Sequence, residues 1–118
     1  MITSKLEIGR LYLERGDVLK AIEMLAPLSN ELLQTQKYDQ YLDVLQLLFR
    51  GYAELHDFEM IDHAQNLLNR LVDAEAVQLT PKMLYTLALC SSYRNQHEKS
   101  LELCKRSLNL AIKRDDQE

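Results

Sequence analysis

An all-α fold follows from three observations: a leucine-dominated composition, apolar residues recurring at helical spacing, and a plan that repeats every 39 or 40 residues. The 118 residues include 24 Leu but only 5 Ile, 4 Val and 4 Thr, with 3 Gly and 2 Pro. Straight-chain residues keep their rotamer freedom in a helix, whereas β-branched ones lose it against the preceding turn. Tyr12, Tyr52 and Ser91 fall at steps of 40 and 39. Gly9, Phe49 and Ala88 keep these steps, as do Ala21, Ile61 and Ser100, and the apolar Ile8, Leu48 and Leu87. The turn pairs Gly16-Asp17, His56-Asp57 and Asn95-Gln96 stay in phase with them. A fixed period of this length is the signature of stacked units, here three antiparallel helical hairpins over residues 3–36, 39–76 and 80–114. The 118 residues are one domain's worth of chain.

The first helix is expected over 3–15, with Leu6, Ile8, Leu11, Tyr12 and Leu13 wrapping most of its circumference. Gly9 admits a close neighbour, Tyr12 fills the space between two helices, and Ala21 is the small counterpart on the second. Gly16 ends this helix and Asp17 is positioned to cap the next. The second helix starts near Val18 and carries Ile22, Leu25, Leu28, Leu32 and Leu33. Pro27 lacks the N–H that would bond to Glu23, so a kink or a break is expected there. After a polar connection at 34–40, the third helix spans about 39–55, with Leu42, Leu45, Leu48, Phe49 and Tyr52 inward. His56-Asp57 is a turn, and a fourth helix covers 58–74. Thr80-Pro81 is a helix start, with Thr as N-cap and Pro in the first turn. The fifth helix covers 81–94 and the sixth 98–113, and the polar tail from Arg114 to Glu118 is expected to fray.

Composition excludes several classes of function. Charges of both signs are interspersed around a net −4, which leaves no footprint for nucleic acid or anionic lipid. No apolar run approaches the ~20 residues of a membrane span. Met1-Ile2-Thr3-Ser4-Lys5 leads into an amphipathic helix rather than a secretory signal. With two cysteines, Cys90 and Cys104, 14 residues apart and without Cys-x-x-Cys spacing, a reduced cytoplasmic protein is expected. The cysteines sit on facing helices and could approach one another, or serve as small packing residues. His56, Glu59 and His63 invite a metal reading, but they lack a fourth ligand and the His-Glu-x-x-His pattern. No nucleophile, base and orienting group stand together, so the chain is expected to have no catalytic residues, cofactor or metal.

The order Gly9, Tyr12, Gly16-Asp17, Ala21 and Leu25 resembles the tetratricopeptide-repeat (TPR) family, in a long variety whose step of 39–40 exceeds the usual ~34 residues. The resemblance covers the whole chain and is closest in the first repeat; the second keeps Tyr52 and Asp57, the third the small Ala88 and Ser100. It implies a right-handed superhelix whose concave face, lined by the first helix of each hairpin, binds a protein or peptide in a regulatory or scaffolding role. Carried over by position, that face holds Leu6, Arg10, Leu13 and Glu14 in repeat one, Gln46, Arg50, Ala53 and Glu54 in repeat two, and Tyr85, Leu89, Ser92 and Tyr93 in repeat three. Arg10-x-x-x-Glu14 and Arg50-x-x-x-Glu54 thus recur 40 apart. Each Arg could bind a partner's carboxylate through its planar fork, or pair with the Glu one turn on for ~0.2–0.5 kcal/mol. The chaperone-type carboxylate clamp of the family needs Asn where Arg10 and Arg50 stand, so that partner type is not implied.

Leu19, Leu79, Leu110 and Ile112 have no evident burial partner in three hairpins. Helix six, with Leu101, Leu103, Cys104, Leu108 and Ala111, is apolar enough to need a lid, where an array normally ends in a polar capping helix. An exposed apolar stripe of this kind marks an interface. Self-association, with a homodimer as its simplest form, or membership of a longer protein is therefore the alternative to a free-standing binding module.

Overall fold

A computed structural model describes Ile2–Gln117, with side chains from Ser4 to Lys113. The described residues form six α-helices and no strand: α1 (Ile2–Glu14), α2 (Val18–Gln34), α3 (Tyr38–Glu54), α4 (Phe58–Asp73), α5 (Pro81–Tyr93) and α6 (His97–Gln117). Loops of three residues within each hairpin fold α1 against α2, α3 against α4, and α5 against α6. Between hairpins, α2 packs along α3, and α3 is flanked by α1 and α5. The inner layer is therefore α1–α3–α5, with α3 at its centre.

The repeat is written in the backbone as well as in the side chains. Gly16, His56 and Asn95 all have positive φ, at 85°, 55° and 62°. In each turn, the N–H of the next residue reaches back to an inner-helix carbonyl: Asp17 to Tyr12, Asp57 to Tyr52 and Gln96 to Ser91, at 2.8, 2.9 and 2.9 Å. A second bond runs from the positive-φ residue itself to Leu13, Ala53 and Ser92. The ends of α2 and α4 use the same closure at Gln36 and Glu75. These paired bonds satisfy carbonyls that the end of a helix leaves without partners.

One buried cluster runs through all six helices, with Phe49, Val44, Leu25, Leu32, Ile61 and Leu68 essentially inaccessible. Gly9 is buried against Leu25, and a Cβ there would lie 2.6–2.7 Å from the Leu25 side chain. Gly51 allows a similar approach between hairpins, where an added Cβ would meet Ile22 at 3.3 Å and Leu13 at 3.5 Å. Cys90 is buried too, and its thiol donates to the Phe49 carbonyl at 3.7 Å. Burial pushes the Cys90 thiol up to about 11, against a smaller opposing pull from Arg94. Cys90 and Cys104 are both free thiols.

Several sequence expectations are corrected. Of the kink or break expected at Pro27, the break does not occur: α2 continues through it, with Pro27 exposed where water can solvate the carbonyl left without a donor. Asp17 stands at the N-cap of α2 but its side chain makes no capping bond, whereas Asp57 accepts from the Met60 N–H at 3.3 Å and Thr80 from the Met83 N–H at 3.1 Å. Leu79 and Leu110 do have partners: both pack half-buried on the core, beside which Val77 of the α4–α5 loop is fully buried. Leu19 and Ile112 remain more than half exposed, at 66% and 52%. The tail expected to fray continues α6 through Gln117, while Glu118 lies outside the described residues.

The two helical glycines should answer an alanine scan with opposite signs. Gly9→Ala gains ~1 kcal/mol of helix propensity but must displace a fully buried Leu25, an overpacking cost of ~1–3 kcal/mol; urea unfolding should show a net loss. Gly51→Ala asks only a few tenths of an ångström of the half-buried Ile22, so its net effect should lie between zero and a gain of ~1 kcal/mol. Cysteine chemistry offers a second check. With burial pushing the Cys90 thiol up to about 11, it stays un-ionised at pH 8, and the thiolate is the nucleophile. Peptide mapping after native iodoacetamide treatment should find Cys104 modified well before Cys90.

Candidate functional site

The expected binding residues all lie on α1, α3 and α5, the three helices of the inner layer. Glu14, Arg50, Glu54, Tyr85 and Ser92 are exposed, with Tyr85 at 54%, and Arg10, Gln46, Leu6 and Leu89 are partly so. Leu13 and Ala53 are buried in the core cluster and act there as packing residues. The layer thus presents a polar, charged central strip on α1 and α3 and an aromatic, apolar end on α5.

The ion pairs differ from the i,i+4 pattern that the sequence allows. Arg10 donates to Glu7 at 3.1 Å, one turn towards the helix start, and not to Glu14. Arg50 has Leu47 at the corresponding position, and among the described residues it makes no ion pair with Glu54 or any other carboxylate. Identical Arg-Glu spacing therefore gives two different surfaces. On α1 the arginine is engaged by an exposed neighbour, which is worth little against solvent. On α3 both Arg50 and Glu54 are available to a ligand.

Between α3 and α5 the inner layer opens into a cleft of about 300 Å³. Asp39, Leu42, Asp43 and Gln46 come from α3, facing Thr80, Lys82 and Met83 at the start of α5. Of these only Gln46 follows from the sequence repeat. The others lie in the first two turns of α3 and at the N-cap and first turn of α5, and the seven-residue α4–α5 loop brings the start of α5 beside α3. The cleft has a narrow apolar floor of Leu42 and Met83, with two carboxylates and an ammonium at its rim.

Tyr93 lies at the far end of α5, beside the hairpin turn. Its ring meets His56 edge-on at 5.8 Å, and His56 in turn lies 5.6 Å from Phe58. Arg94 completes this group: its guanidinium lies 4.9 Å from the Phe58 ring centre and forks onto Asp62 at 2.6 and 3.3 Å. The Arg94 hydrogen bond is the main cause holding the Asp62 carboxyl below its usual range, and the same bond raises Arg94. These five residues tie the second hairpin to the third at the turn edge. His56 is thus a packing partner of two aromatic rings, and among the described residues no group of three His, Cys, Asp or Glu is arranged to hold a metal ion.

A second cavity, about 200 Å³, lies between α2, α3 and α4 on the other side of α3. Tyr41, Tyr52, Ser29, Asn30 and His63 are its polar lining residues. Burial raises the Tyr41 hydroxyl, with Tyr52 adding to it, and burial then the Asp57 carboxylate raise Tyr52. Both phenols are therefore neutral hydrogen-bonding groups at neutral pH.

The Arg94–Asp62 pair makes a pH-dependent contribution of definite sign. Asp62 is depressed in the folded state, so its contribution is complete above the ordinary carboxylate value of 3.8 and is lost as pH falls through its lowered folded value. In a carboxyl NMR titration, Arg94→Gln should move the Asp62 midpoint upward towards that ordinary value, with unfolding free energy at pH 7 falling by no more than ~1 kcal/mol, as for an exposed pair.

No family model, curated protein or solved structure matches this chain.

Proposed function

We propose that this chain is a non-catalytic binding module of the tetratricopeptide type, which holds an extended protein or peptide segment against α1, α3 and α5. The observation that carries this reading is the exposed Arg50 and Glu54 on the central helix, free of each other and of other charges among the described residues. Opposite charges one turn apart, left without partners, can read a segment carrying the complementary pair. Arg50 supplies a planar fork for a carboxylate, and Glu54 accepts from an ammonium or guanidinium. On the neighbouring helix α5, level with Gln46 in the repeat, Tyr85 offers a rigid amphipathic ring to an apolar side chain at small entropic cost. The cleft between α3 and α5 has room for one such side chain, with Lys82 and the two aspartates at its rim.

Support for the tetratricopeptide arrangement comes from the positive-φ turns at Gly16, His56 and Asn95, which keep the same 40- and 39-residue steps as the side-chain motif. In this reading the inner layer is the concave face of a right-handed superhelix, and the protein has a regulatory or scaffolding role in the cytoplasm. No helix among the described residues is long and apolar enough to cross a membrane.

Selection from a displayed library of random peptides tests the reading, because it requires no particular partner. Enriched peptides should bind Arg50→Glu and Tyr85→Ala at least about tenfold more weakly, a loss of ~1.4 kcal/mol or more, and should bind Met60→Ala, altered on α4, as well as the parent. Equal binding to all three variants would remove the inner layer from consideration.

A further inference from the structure

The exposed apolar stripe of α6 occupies the same position in its repeat as the face by which α2 grips the next hairpin. In α2 that face comprises Ile22, which lies against Gly51 of α3, and Ala26, Ser29 and Leu33, which share a cavity with Tyr41, Leu45 and Leu48 of α3. Adding the two repeat steps, 79 residues, to these positions gives Leu101, Lys105, Leu108 and Ile112. All four are exposed, the three apolar ones at 57%, 61% and 52%. The junction between the second and third hairpins keeps only the turn-edge position, where Asp62 corresponds to Ile22 and Leu101 and is gripped by Arg94, while α5 packs on α3 rather than along α4.

The complementary half of this junction lies bare at the other end of the molecule. Gly51 and Leu48 of α3 correspond to Leu11 and Ile8 of α1, one step of 40 earlier. In α3 both are buried, but in α1 Leu11 is 53% and Ile8 41% exposed. One end of the chain therefore presents the donor face of an inter-hairpin junction and the other end the acceptor face. From this continuity with the first internal junction we infer that a second copy of this chain docks head to tail, its α1 lying along α6 as α3 lies along α2.

Charge favours this occupant at the turn edge, while along the stripe the same register brings the exposed Lys5 to the exposed Lys105. Arg15 corresponds to Arg94, the residue that crosses the second junction at the turn edge. In the docked copy it comes over the start of α6, where His97 and Leu101 correspond to Phe58 and Asp62 and the exposed Glu98 and Glu102 stand on either side. A cation from one copy thus meets two carboxylates of the next, while Leu11 meets Leu101. Leucine in place of Gly51 sets the copies further apart than the hairpins within one chain. Because the two faces differ, the contact is heterologous and propagates to a third copy unless it closes into a ring.

Two variants on opposite faces test this directly. Light scattering of the unmodified chain should show mean mass rising with concentration beyond that of a dimer. Leu11→Glu and Leu101→Glu, both at exposed sites and checked for helicity by circular dichroism, should each weaken association about tenfold or more. Mixed in equal amounts they should recover association, but only to a heterodimer, because each supplies the face that the other lacks. Ile8→Glu and Leu108→Glu form a second pair should either variant lose its fold. A parent chain that stays monomeric at every concentration would overturn the proposal, and so would a mixture that fails to associate, since like faces would then be in contact.

Discussion

Everything in this fold depends on how its helices end. Each of the first five helices closes with a residue in the left-handed region and two backbone bonds returning to the last turn, at Gly16, Gln36, His56, Glu75 and Asn95. This closure reverses the chain in a few residues and fixes where the next helix starts. For a residue with a Cβ, the left-handed conformation costs ~1–2 kcal/mol. Four of the five positions carry such a residue, so packing on both sides of the turn must hold it there. At His56 the packing is visible, because its ring contacts Phe58 and Tyr93. The carbonyls that receive the closing bonds of the three hairpins belong to Tyr12, Tyr52 and Ser91, the very positions whose spacing defines the repeat.

With the turns fixed, the hairpins are free to meet by different chemistry at the same position. Between the first and second, the junction is apolar and close, made by Ile22 on Gly51. Between the second and third, the exposed Asp62 takes the place of Ile22, and its carboxylate takes a cationic partner instead of an apolar one. Arg94 supplies that partner from the end of α5, with Phe58 beneath its guanidinium. The polar junction is therefore confined to the turn edge, where solvent softens the desolvation of both charges.

The repeat is legible in the sequence because turns and small residues recur at one spacing, and the helix boundaries fall within a few residues for the same reason. What is not legible depends on side-chain direction. Gly51 escapes a reading by register because its close approach is to the preceding hairpin, at Ile22, whereas Gly9 approaches Leu25 within its own hairpin. Arg94 and Asp62 are 32 residues apart, and only the stacked hairpins bring them together. Pro27 reads as a helix breaker from its missing N–H alone, yet on an exposed helix face water can donate to the orphaned carbonyl instead. For the binding surface, matching Arg10 with Arg50 hides a difference three residues back. Glu7 engages the first arginine and Leu47 leaves the second free of a carboxylate.

Arg50 and Gly51 are adjacent residues, about 100° apart around α3. The inner-layer surface and the junction surface are therefore neighbours on the same helix, and the same holds for Arg10 and Leu11 on α1. In a head-to-tail stack, α1 of the next copy continues the layer beyond α5, so that Arg10 of that copy follows Tyr85 and Leu89. A segment long enough to lie across both copies would contact residues on each side of the junction. It would bind the stack more tightly than the single chain, and by thermodynamic reciprocity it would strengthen stacking by the same factor. A segment confined to α3 and α5 would touch only one copy and leave the association unchanged. Ligand length, rather than ligand charge, is then the property that couples the two surfaces, because only length decides whether the junction is spanned.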